Sequence, residues 1–280
     1  MDPILLTGAS GYIGSRVAAC LRRQDIPFDV LPCRLEDIVP ASLPNRCVIH
    51  CAGKICRGGE VDFLAGNARG TESLLNGLGP NTRVVFVSTR RVYPKLADIS
   101  IDEVHDTGPW DDYGASKLAA EQSLQASGKD FVIFRAGTMF GHPSRNGSFP
   151  DLALKAALHG QTITLATPPR REDYLDVDLM AALLVQACSD GPHWGHVFNI
   201  SGPVRELGGM LEALNQACLE LRSTSIAVRG ASFPIRHAPW LDIRKLQSYF
   251  PSHPQLDDVQ IFRRMLRARL NNPLSDTYLL

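Results

Sequence analysis

The chain has 280 residues, of which 44% are hydrophobic and 21% are charged. This is enough apolar material for one large α/β domain, or for a core domain with a smaller one attached, and it argues against global disorder. Lys+Arg and Asp+Glu both number 29. This balance excludes a basic field for nucleic acid or an anionic membrane, so we expect a small-molecule partner.

Apolar segments alternate with amphipathic segments along the first half of the chain. Helices are predicted around 14–24, 67–79 and 113–128, where apolar residues recur at helical spacing. Short apolar runs predict buried strands in ILLTG (4–8), FDVLPCR (28–34), RCVIHCAG (46–53), RVVFVST (83–89) and DFVIFRAG (130–137). The alternation predicts an α/β fold with a doubly wound parallel sheet and helices on both faces.

The second half of the chain has a different texture. The segment GHPSRNGSFP (141–150) is typical of a loop, and the later helices, around 179–189 and 207–222, are mixed with proline-rich connections. Residues 1–140 are therefore predicted to form a core domain, and 141–280 mainly a smaller lobe over the carboxyl edge of the sheet. HVFNISG (196–202) predicts a strand that returns to the main sheet, within a segment near 172–202.

Neither a membrane segment nor a metal site is predicted. No run of about 18 apolar residues occurs, and MDPILLTGAS lacks the basic start and long apolar stretch of a signal peptide, so we expect a cytoplasmic protein. The cysteines are odd in number and form no Cys-x-x-Cys pair, which predicts reduced thiols. They are Cys20, Cys33, Cys47, Cys51, Cys56, Cys188 and Cys218.

The turn after the first predicted strand carries glycines at Gly8, Gly11 and Gly14, within TGASGYIG. Gly8 permits a tight turn, Gly11 lets the backbone approach a pyrophosphate, and Gly14 lets the helix pack closely on the strand. The helix N-terminus adds free N–H groups and a partial positive charge. In this strand–turn–helix context, the spacing predicts a Rossmann-like domain that binds a dinucleotide.

The end of the second predicted strand bears on which dinucleotide is bound. An acidic residue there binds the ribose 2′-hydroxyl of NAD, whereas an arginine favours the 2′-phosphate of NADP. The expected position holds Cys33 or Arg34, which favours NADP. Glu36 and Asp37 follow closely, so NAD stays open.

A hydroxyl, a phenol and an amine are predicted to meet beyond the carboxyl end of the sheet. Tyr113 and Lys117 are four residues apart on one helix face, and Thr89 ends the fourth strand. A nearby ammonium stabilises a phenolate and is expected to lower the pKa of Tyr113 from its usual value near 10. Thr89 can hold a substrate oxygen. The three residues therefore suggest proton transfer beside a hydride carrier.

These motifs together resemble the short-chain dehydrogenase/reductase superfamily, and more closely its extended, NAD(P)-dependent epimerase/dehydratase branch. The resemblance also rests on HCAG (50–53), GTESLL (70–75) after Asn67, FRAGTMFG (134–141), REDYLDVDLMAALL (171–184), FNISG (198–202) and LDIRKLQSYFP (241–251). It thus spans nearly the whole chain. The combination of the glycine loop with the threonine, tyrosine and lysine is its most specific part.

The resemblance implies roles for particular residues. Thr89, Tyr113 and Lys117 would be catalytic, and residues 141–280 would mainly bind substrate. The cofactor would contact Gly8, Ser10, Gly11, Tyr12, Ile13, Gly14, Arg34, Asp37, Cys51, Ala52, Gly53 and Lys117. Members of this branch commonly act on sugar nucleotides and often dimerise through two helices, which here would be those around 67–78 and 113–127.

Arg90 and Arg91 stand where the 4,6-dehydratases of this branch carry an aspartate and a glutamate. Arginine stays protonated and cannot replace those groups, so dehydration by that mechanism is not expected. We expect Arg90, Arg91, Thr138 and Arg171 on the substrate side, where an arginine fork suits a phosphate or carboxylate. The alternatives for Arg90 and Arg91 are a solvated loop position or an ion pair with residues 98–106.

Several functions stay open at this stage. Keto reduction, alcohol oxidation and epimerisation all use the predicted residues. Thr138 stands where members of this branch often have an asparagine, and Glu172 displaces an arginine that they usually carry. These departures leave a secondary-metabolite ketone or a sugar acid as alternative substrates. A cofactor-sensing protein without turnover is the alternative from another class.

Overall fold

The computed structural model describes residues 3–37, 47–55, 62–142, 147–167, 170–222, 224–232, 239–251 and 257–271. The strands are β1 Ile4–Thr7, β2 Phe28–Val30, β3 Cys47–His50, β4 Arg83–Thr89, β5 Ser100–Ile101, β6 Phe131–Ala136, β7 Met139–Phe140, β8 Ile163–Thr167, β9 Arg171–Glu172, β10 Leu175–Asp176, β11 His196–Ile200, β12 Arg205–Glu206, β13 Val228–Ser232 and β14 Trp240–Leu241. The α-helices are α1 Tyr12–Arg23, α2 Gly70–Gly77, α3 Asp112–Ala126, α4 Phe149–Leu158, α5 Val177–Gln186, α6 Leu207–Arg222, α7 Arg244–Tyr249 and α8 Asp258–Asn271.

A six-stranded sheet forms the centre of the protein, in the order β11-β6-β4-β3-β1-β2, and every neighbouring pair is parallel. The predicted α/β class and Rossmann-like sheet are confirmed. The strand residues are apolar without alternation because helices cover both faces of the sheet. The chain runs from β1 to β2 on one side and then crosses to β3 on the other side of β1, so the strand order reverses at β1.

Two apolar layers enclose this sheet. On one face α1 and α5 pack together around Val17, Leu21 and Met180. On the other face α2 and α3 cover Val48 and Phe86. The helices thus hold the strands on both sides, and they leave the carboxyl edge of the sheet accessible for a ligand.

A second apolar core lies outside the sheet. It is formed by α4, α6 and α8, together with Phe140 and Tyr174. Strand β11 pairs with β6 in the main sheet, and Leu246 and Phe250 from the α7 region join the main core. The C-terminal half therefore contributes to both cores. The described helices include none whose length and apolar content would let it cross a bilayer.

Candidate active site

The turn between β1 and α1 has a shape that glycine makes possible. Gly8 has a φ of +69°, and a Cβ there would come within 2.6 Å of the Ala52 backbone nitrogen. The Gly11 N–H donates to the Gly8 carbonyl at 2.9 Å. A Cβ on Gly14 would lie 2.6 Å from the Gly8 carbonyl carbon. Helix α1 therefore begins directly against the end of β1, with its first N–H groups at the carboxyl edge.

A cleft of about 650 Å³ opens at this edge, beside the point where the strand order reverses. Three loops line it, after β1, β2 and β3, and the lining residues are Gly8, Ala9, Ser10, Val30, Leu31, Cys33, Arg34, Leu35, Ala52, Gly53, Lys54 and Gly66. Among the described lining residues, Arg34 and Lys54 are cations. The glycine turn, the free N–H groups of the helix and the cationic side chains together suit a dinucleotide that carries phosphates.

The remaining predicted cofactor residues lie around this cleft. Asp37 is exposed and ends a short 3₁₀ turn, Leu35–Asp37. Ile13 packs against the main core, and the Tyr12 hydroxyl donates to the Gly141 carbonyl at 3.5 Å. Burial raises the pKa of Cys51 to about 12, so its thiol is neutral. The cofactor contacts of these four residues stay predictions.

A buried histidine fixes the loop after β3. Thr71 donates its hydroxyl proton to the Asn67 carbonyl, so it can only accept from His50 Nε2–H at 3.1 Å. His50 Nδ1 then accepts from the Thr7 hydroxyl at 2.7 Å, and that hydroxyl accepts from the Ala52 N–H. Burial lowers the pKa of His50 to about 3, which keeps this pattern neutral. The network ties β1, β3 and α2 together beneath the cleft.

Asn67 clamps the same loop from the other side. It lies in a π-helical turn, Leu64–Arg69, that leads into α2. Its carbonyl oxygen accepts from the Lys54 N–H at 2.6 Å, and its amide nitrogen donates to the Lys54 carbonyl and to the Ser116 hydroxyl. The asparagine therefore joins the cleft to α3, which carries Tyr113 and Lys117.

The structure brings the predicted tyrosine helix against the strand end that carries Thr89. A Cβ on Gly114 would come to 2.9 Å from the Arg91 carbonyl carbon, so the first turn of α3 rests on the turn after β4. The Arg91 guanidinium carbon is 5.6 Å from the centre of the Tyr113 ring. Thr89 is buried, and its hydroxyl accepts from the Arg91 N–H at 3.3 Å. Thr89 and Tyr113 therefore both border one short turn.

The Lys117 side chain extends from α3 towards the cleft. Its ammonium nitrogen is 4.0 Å from the centre of the Phe86 ring and 4.0 Å from the place that a Cβ on Gly53 would take. Burial lowers the pKa of Lys117 to about 8, and the charge of Glu121 opposes that shift. The amine is thus held next to a residue that lines the cleft.

The expectation that an ammonium lowers the pKa of Tyr113 is wrong for this structure. Burial raises that pKa, Arg91 opposes the shift and Asp111 adds to it. The desolvation of the phenolate outweighs the attraction of the neighbouring cation. Tyr113 is therefore a neutral phenol at neutral pH and is available as a proton donor.

A buried polar network lies directly behind these residues, and the sequence alone did not reveal it. Glu121, fully buried on α3, accepts from the Ser88 hydroxyl and from the Arg135 guanidinium, whose Nη2 is at 2.8 Å. Arg135 also donates to the Tyr93 hydroxyl at 3.0 Å, which donates to Asn199 at 2.8 Å. Glu121 follows Lys117 by four residues on the same helix, and this spacing is the sequence feature that could have indicated a buried charge there. The network fixes α3 on β4, β6 and β11.

Arg90 is buried rather than solvated, and it does not pair with residues 98–106. Its Nη1 lies 2.5 Å from a carboxylate oxygen of Asp173, and its Nη2 donates to the Pro239 carbonyl at 2.6 Å. The other oxygen of Asp173 accepts from the Leu241 N–H. Both alternatives considered for Arg90 are wrong, because the C-terminal half covers it. Its terminal nitrogens are engaged within the protein, where they join β4 to the later segments.

The other residues expected on the substrate side lie at the surface of this region. Arg91 pairs with Asp111 at 2.9 Å, and Arg171 pairs with Asp98 at 2.9 Å. The ion pair with residues 98–106 that was considered for Arg90 and Arg91 is made by neither of them among the ion pairs described; Arg171 pairs with that segment instead. Thr138 is half-buried, and its carbonyl accepts a hydrogen bond from β10. Substrate contacts of Arg91, Arg171 and Thr138 stay predictions.

Six of the seven cysteines lie in the described part of the chain. Cys20, Cys33, Cys47, Cys51, Cys188 and Cys218 are free thiols, and Cys56 lies outside the described residues. Among the described side chains, no three of His, Cys, Asp or Glu form a group that could hold a metal ion.

The structure combines a parallel sheet, a glycine turn where the strand order reverses, and a helix that carries a tyrosine and a lysine. This combination defines an enzyme of the extended short-chain dehydrogenase/reductase type. A family model described as "NAD dependent epimerase/dehydratase family" matches residues 4–201. The chain belongs to this family.

Curated relatives include epimerases and reductases. The chain is 32% identical over 154 residues to the UDP-glucose 4-epimerase of Azospirillum brasilense, covering 45% of this chain and 44% of that protein. It is 27% identical over 261 residues to the GDP-6-deoxy-D-mannose reductase of Pseudomonas aeruginosa, covering 81% and 85%. The chain therefore spans less than half of the epimerase but most of the reductase.

Solved structures show the same fold along most of the chain. MoeE5 in complex with UDP-glucuronic acid and NAD is 21% identical, with a TM-score of 0.78 over 96% of this chain and 99% of that one. RMD from Pseudomonas aeruginosa complexed with NADPH is 22% identical, with a TM-score of 0.78 over 95% and 98%. One neighbour binds NAD and the other NADPH.

Proposed function

We propose that this enzyme transfers hydride between a nicotinamide cofactor and a hydroxyl or keto carbon of a nucleotide-linked sugar, and that it acts mainly as a reductase. One observation carries the proposal. Thr89 and Tyr113 border the same turn, and Lys117 reaches from the helix that carries Tyr113 to the wall of the cleft. A bound nicotinamide supplies the hydride. The protein supplies the proton and the position of the substrate oxygen.

The charge states of the proposed catalytic residues support proton donation in the reductive direction. Tyr113 is neutral because burial raises its pKa, so it can donate a proton to the oxygen of a carbonyl that accepts hydride. Lys117 carries a proton below a pKa of about 8 and can stabilise the phenolate that remains. Thr89 would donate a hydrogen bond to the same carbonyl oxygen and orient it.

The two arginines after β4 support the exclusion of a 4,6-dehydratase. Arg90 is committed to Asp173, and Arg91 pairs with Asp111. Neither guanidinium can act as the acid or base that water elimination requires. Arg91 and Arg171 are partly exposed, and we propose that they bind the phosphate or carboxylate of the substrate.

The proposal extends to sugar nucleotides because both the UDP-glucose epimerase and the GDP-6-deoxy-D-mannose reductase are relatives. A secondary-metabolite ketone is the second candidate substrate. We also propose a homodimer through α2 and α3. In support of it, the exposed positions of α3 carry small or polar residues such as Ala115, Gln122 and Gln125. Light scattering during gel filtration would give its oligomeric state.

The first experiment identifies the cofactor. The purified protein is denatured, and any nicotinamide nucleotide released is quantified. We expect little bound nucleotide and tighter binding of added NADPH than of NADH, as for a reductase with an exchanging cofactor. Near-stoichiometric NAD would instead indicate an epimerase, which must retain its cofactor through both half-reactions.

The second experiment tests Tyr113. NADPH oxidation is followed with UDP-, GDP- and dTDP-linked 4-keto sugars, for the wild type and for Tyr113→Phe. We expect the variant to lose at least about a hundredfold in kcat and to bind NADPH normally, because it lacks only the proton donor. Tyr249→Phe, remote from the site, is the control. A fully active Tyr113→Phe would contradict the proposed mechanism, whereas cofactor binding without turnover of any of these sugars by the wild type would favour a cofactor-sensing function.

A further inference from the structure

The ring of Tyr113 contacts a cation and an apolar ring that come from two other segments. The guanidinium carbon of Arg91, in the turn after β4, is 5.6 Å from the centre of the Tyr113 ring. Phe63, directly before the π-helical turn, meets the same ring edge-on, with the ring centres 5.8 Å apart. The apolar contact keeps water from the phenol, while the guanidinium places a positive charge beside it.

The backbone of Arg91 is fixed at the point where the substrate oxygen is expected. Its N–H donates to the Thr89 hydroxyl at 3.3 Å, and its carbonyl accepts from the Trp110 N–H at 3.0 Å. The Thr89 oxygen is the acceptor in the first of these bonds, so its own proton stays available for a substrate oxygen. Arg91 therefore contacts both Thr89 and Tyr113, the two residues that are proposed to hold that oxygen.

Asp111 fixes the side chain of Arg91 and the start of α3 together. One carboxylate oxygen of Asp111 accepts from Nη1 of Arg91 at 2.9 Å, and the other accepts from the Gly114 N–H at 2.9 Å. Asp111 is thus the N-cap of the helix that carries Tyr113. The guanidinium and the phenol are both tied to the same helix end, which sets their relative position.

The charged groups around the phenol act in different directions. The charge of Arg91 favours the phenolate and that of Asp111 opposes it, and Arg91 has the larger effect on the pKa of Tyr113. Lys117, one turn further along α3, has its ammonium beside the cleft wall. Asp62, at the start of the segment that packs against the ring, accepts from a backbone N–H of its own turn. Among the described cations, Arg91 is the one found over the Tyr113 ring.

We propose that Arg91 is a positioning residue for the proton donor: its guanidinium, held by Asp111, orients the Tyr113 ring and stabilises the phenolate that forms when the phenol proton passes to the substrate oxygen. The inference rests on the proposed function, because it assumes that Tyr113 is the proton donor. A cation beside an aromatic ring is attracted more strongly once the ring carries a negative charge, so the stabilisation grows along the reaction. Solvent returns a proton to the phenolate after the product alcohol has formed. This role is separate from the substrate anion contact proposed above for Arg91.

Nuclear magnetic resonance of labelled tyrosine tests the charge contact without any substrate. The tyrosines are isotope-labelled at the ring carbon that bears the hydroxyl, and the signal missing from Tyr113→Phe is that of Tyr113. Arg91→Met keeps most of the side-chain length but removes the charge, so we expect the pKa of Tyr113 to rise by about one pH unit. Arg91→Lys keeps the charge and should hold this pKa close to the wild-type value.

Arg83 offers a matched control at the opposite end of β4. Its guanidinium carbon is 4.8 Å from the centre of the Trp194 ring, and its Nη1 pairs with Asp190 at 2.5 Å. Arg83→Met therefore removes the same two kinds of contact at the amino end of the strand, and it should leave the pKa of Tyr113 unchanged. Far-UV circular dichroism at each pH establishes that the variants compared are folded.

Kinetic measurements separate this role from substrate binding. With a nucleotide-linked sugar that the wild type reduces, Arg91→Met should lower kcat at neutral pH about tenfold and change KM by no more than about twofold. Reduction requires the protonated phenol, so kcat falls as the pH rises through the pKa of Tyr113, and this fall should move to higher pH in Arg91→Met. Arg91→Lys should recover most of kcat. A merely structural role would not move the pH profile.

The possible results separate this inference from the proposed function. A higher pKa of Tyr113 in Arg91→Met, with Arg83→Met unchanged, supports the inference. An unchanged pKa, or a Tyr113 signal that does not titrate before the wild type unfolds in alkali, would overturn it. A higher KM with an unchanged kcat would also overturn it and make Arg91 a substrate-binding residue, with hydride transfer intact. If the wild type reduces no nucleotide-linked sugar, the proposed function fails, and the titration of Tyr113 still decides whether Arg91 stabilises its phenolate.

Discussion

Arg90→Met tests how the C-terminal half is fastened to the sheet. The Arg90 and Asp173 side chains are only 6% and 1% exposed. The substitution removes the contacts of the guanidinium with the Asp173 carboxylate and with the Pro239 carbonyl. The variant leaves the Asp173 carboxylate buried with the Leu241 N–H as its remaining partner among the contacts described. Breaking one side of such a pair costs about 3–5 kcal/mol, because an uncompensated charge stays buried.

The matched control is the next residue in the chain. Arg91 pairs with Asp111 at 2.9 Å, but both side chains are 43% exposed. Arg91→Met should therefore cost at most about 1 kcal/mol. The two substitutions make the same chemical change one residue apart, so burial is the main difference between them.

The assay is urea unfolding, with the shift in midpoint read at constant m-value. Arg90→Met, Asp173→Asn and the double variant form a cycle. The double variant should cost at least about 2 kcal/mol less than the two single changes together, because the second change removes the charge that the first leaves unpaired. Additive costs, or an Arg90→Met cost as small as that of Arg91→Met, would refute the argument that a buried ion pair fastens these segments.

Three further predictions concern residues that line the cleft or lie beneath it. The folded pKa of Lys117 is about 8 against an ordinary 10.5, so its burial costs stability fully below pH 8, and the cost fades as the pH rises to 10.5. In urea unfolding, Lys117→Met should be more stable than the wild type by about 3 kcal/mol at pH 7, and this difference in stability should close as the pH approaches 10.5. A difference that does not change with pH would contradict this. The folded pKa of His50 is about 3 against 6.5, so its stabilising contribution is present above pH 6.5 and is lost as the pH falls towards 3. The advantage of the wild type over His50→Asn should shrink by about 5 kcal/mol over that range in acid unfolding, and an unchanged difference would show that His50 is not held neutral. Gly8→Ala should abolish NADPH binding in a fluorescence titration, because a Cβ meets the Ala52 backbone; Gly160→Ala, with a φ of +65° and no atom within 4 Å of its Cβ, should cost about 1 kcal/mol of stability and leave binding unchanged.

Much of the candidate site follows from local sequence signals. Gly8, Gly11 and Gly14 are identified by their spacing between a strand and a helix. At Gly8 and Gly14 the backbone leaves no room for a Cβ, and at Gly11 a Cβ would lie 3.1 Å from the Gly8 carbonyl oxygen. Tyr113 and Lys117 are found because helical spacing places them on one face. The pKa of Tyr113 could not be obtained in this way, since it depends on how deeply the packed α3 buries the phenol.

The amino-acid order alone determined the six parallel strands, the glycine turn and the helix that carries Tyr113 and Lys117, because apolar periodicity and steric limits act over a few neighbouring residues. Tertiary structure decided the partners of the charged residues. Arg90 meets Asp173, 83 positions later, and Glu121 meets Ser88 and Arg135 only because α3 lies across β4 and β6. Lys54 reaches the cleft because Gly66 leaves room for its stem. Such contacts join distant segments through packing, and no local pattern encodes which charge will find which partner.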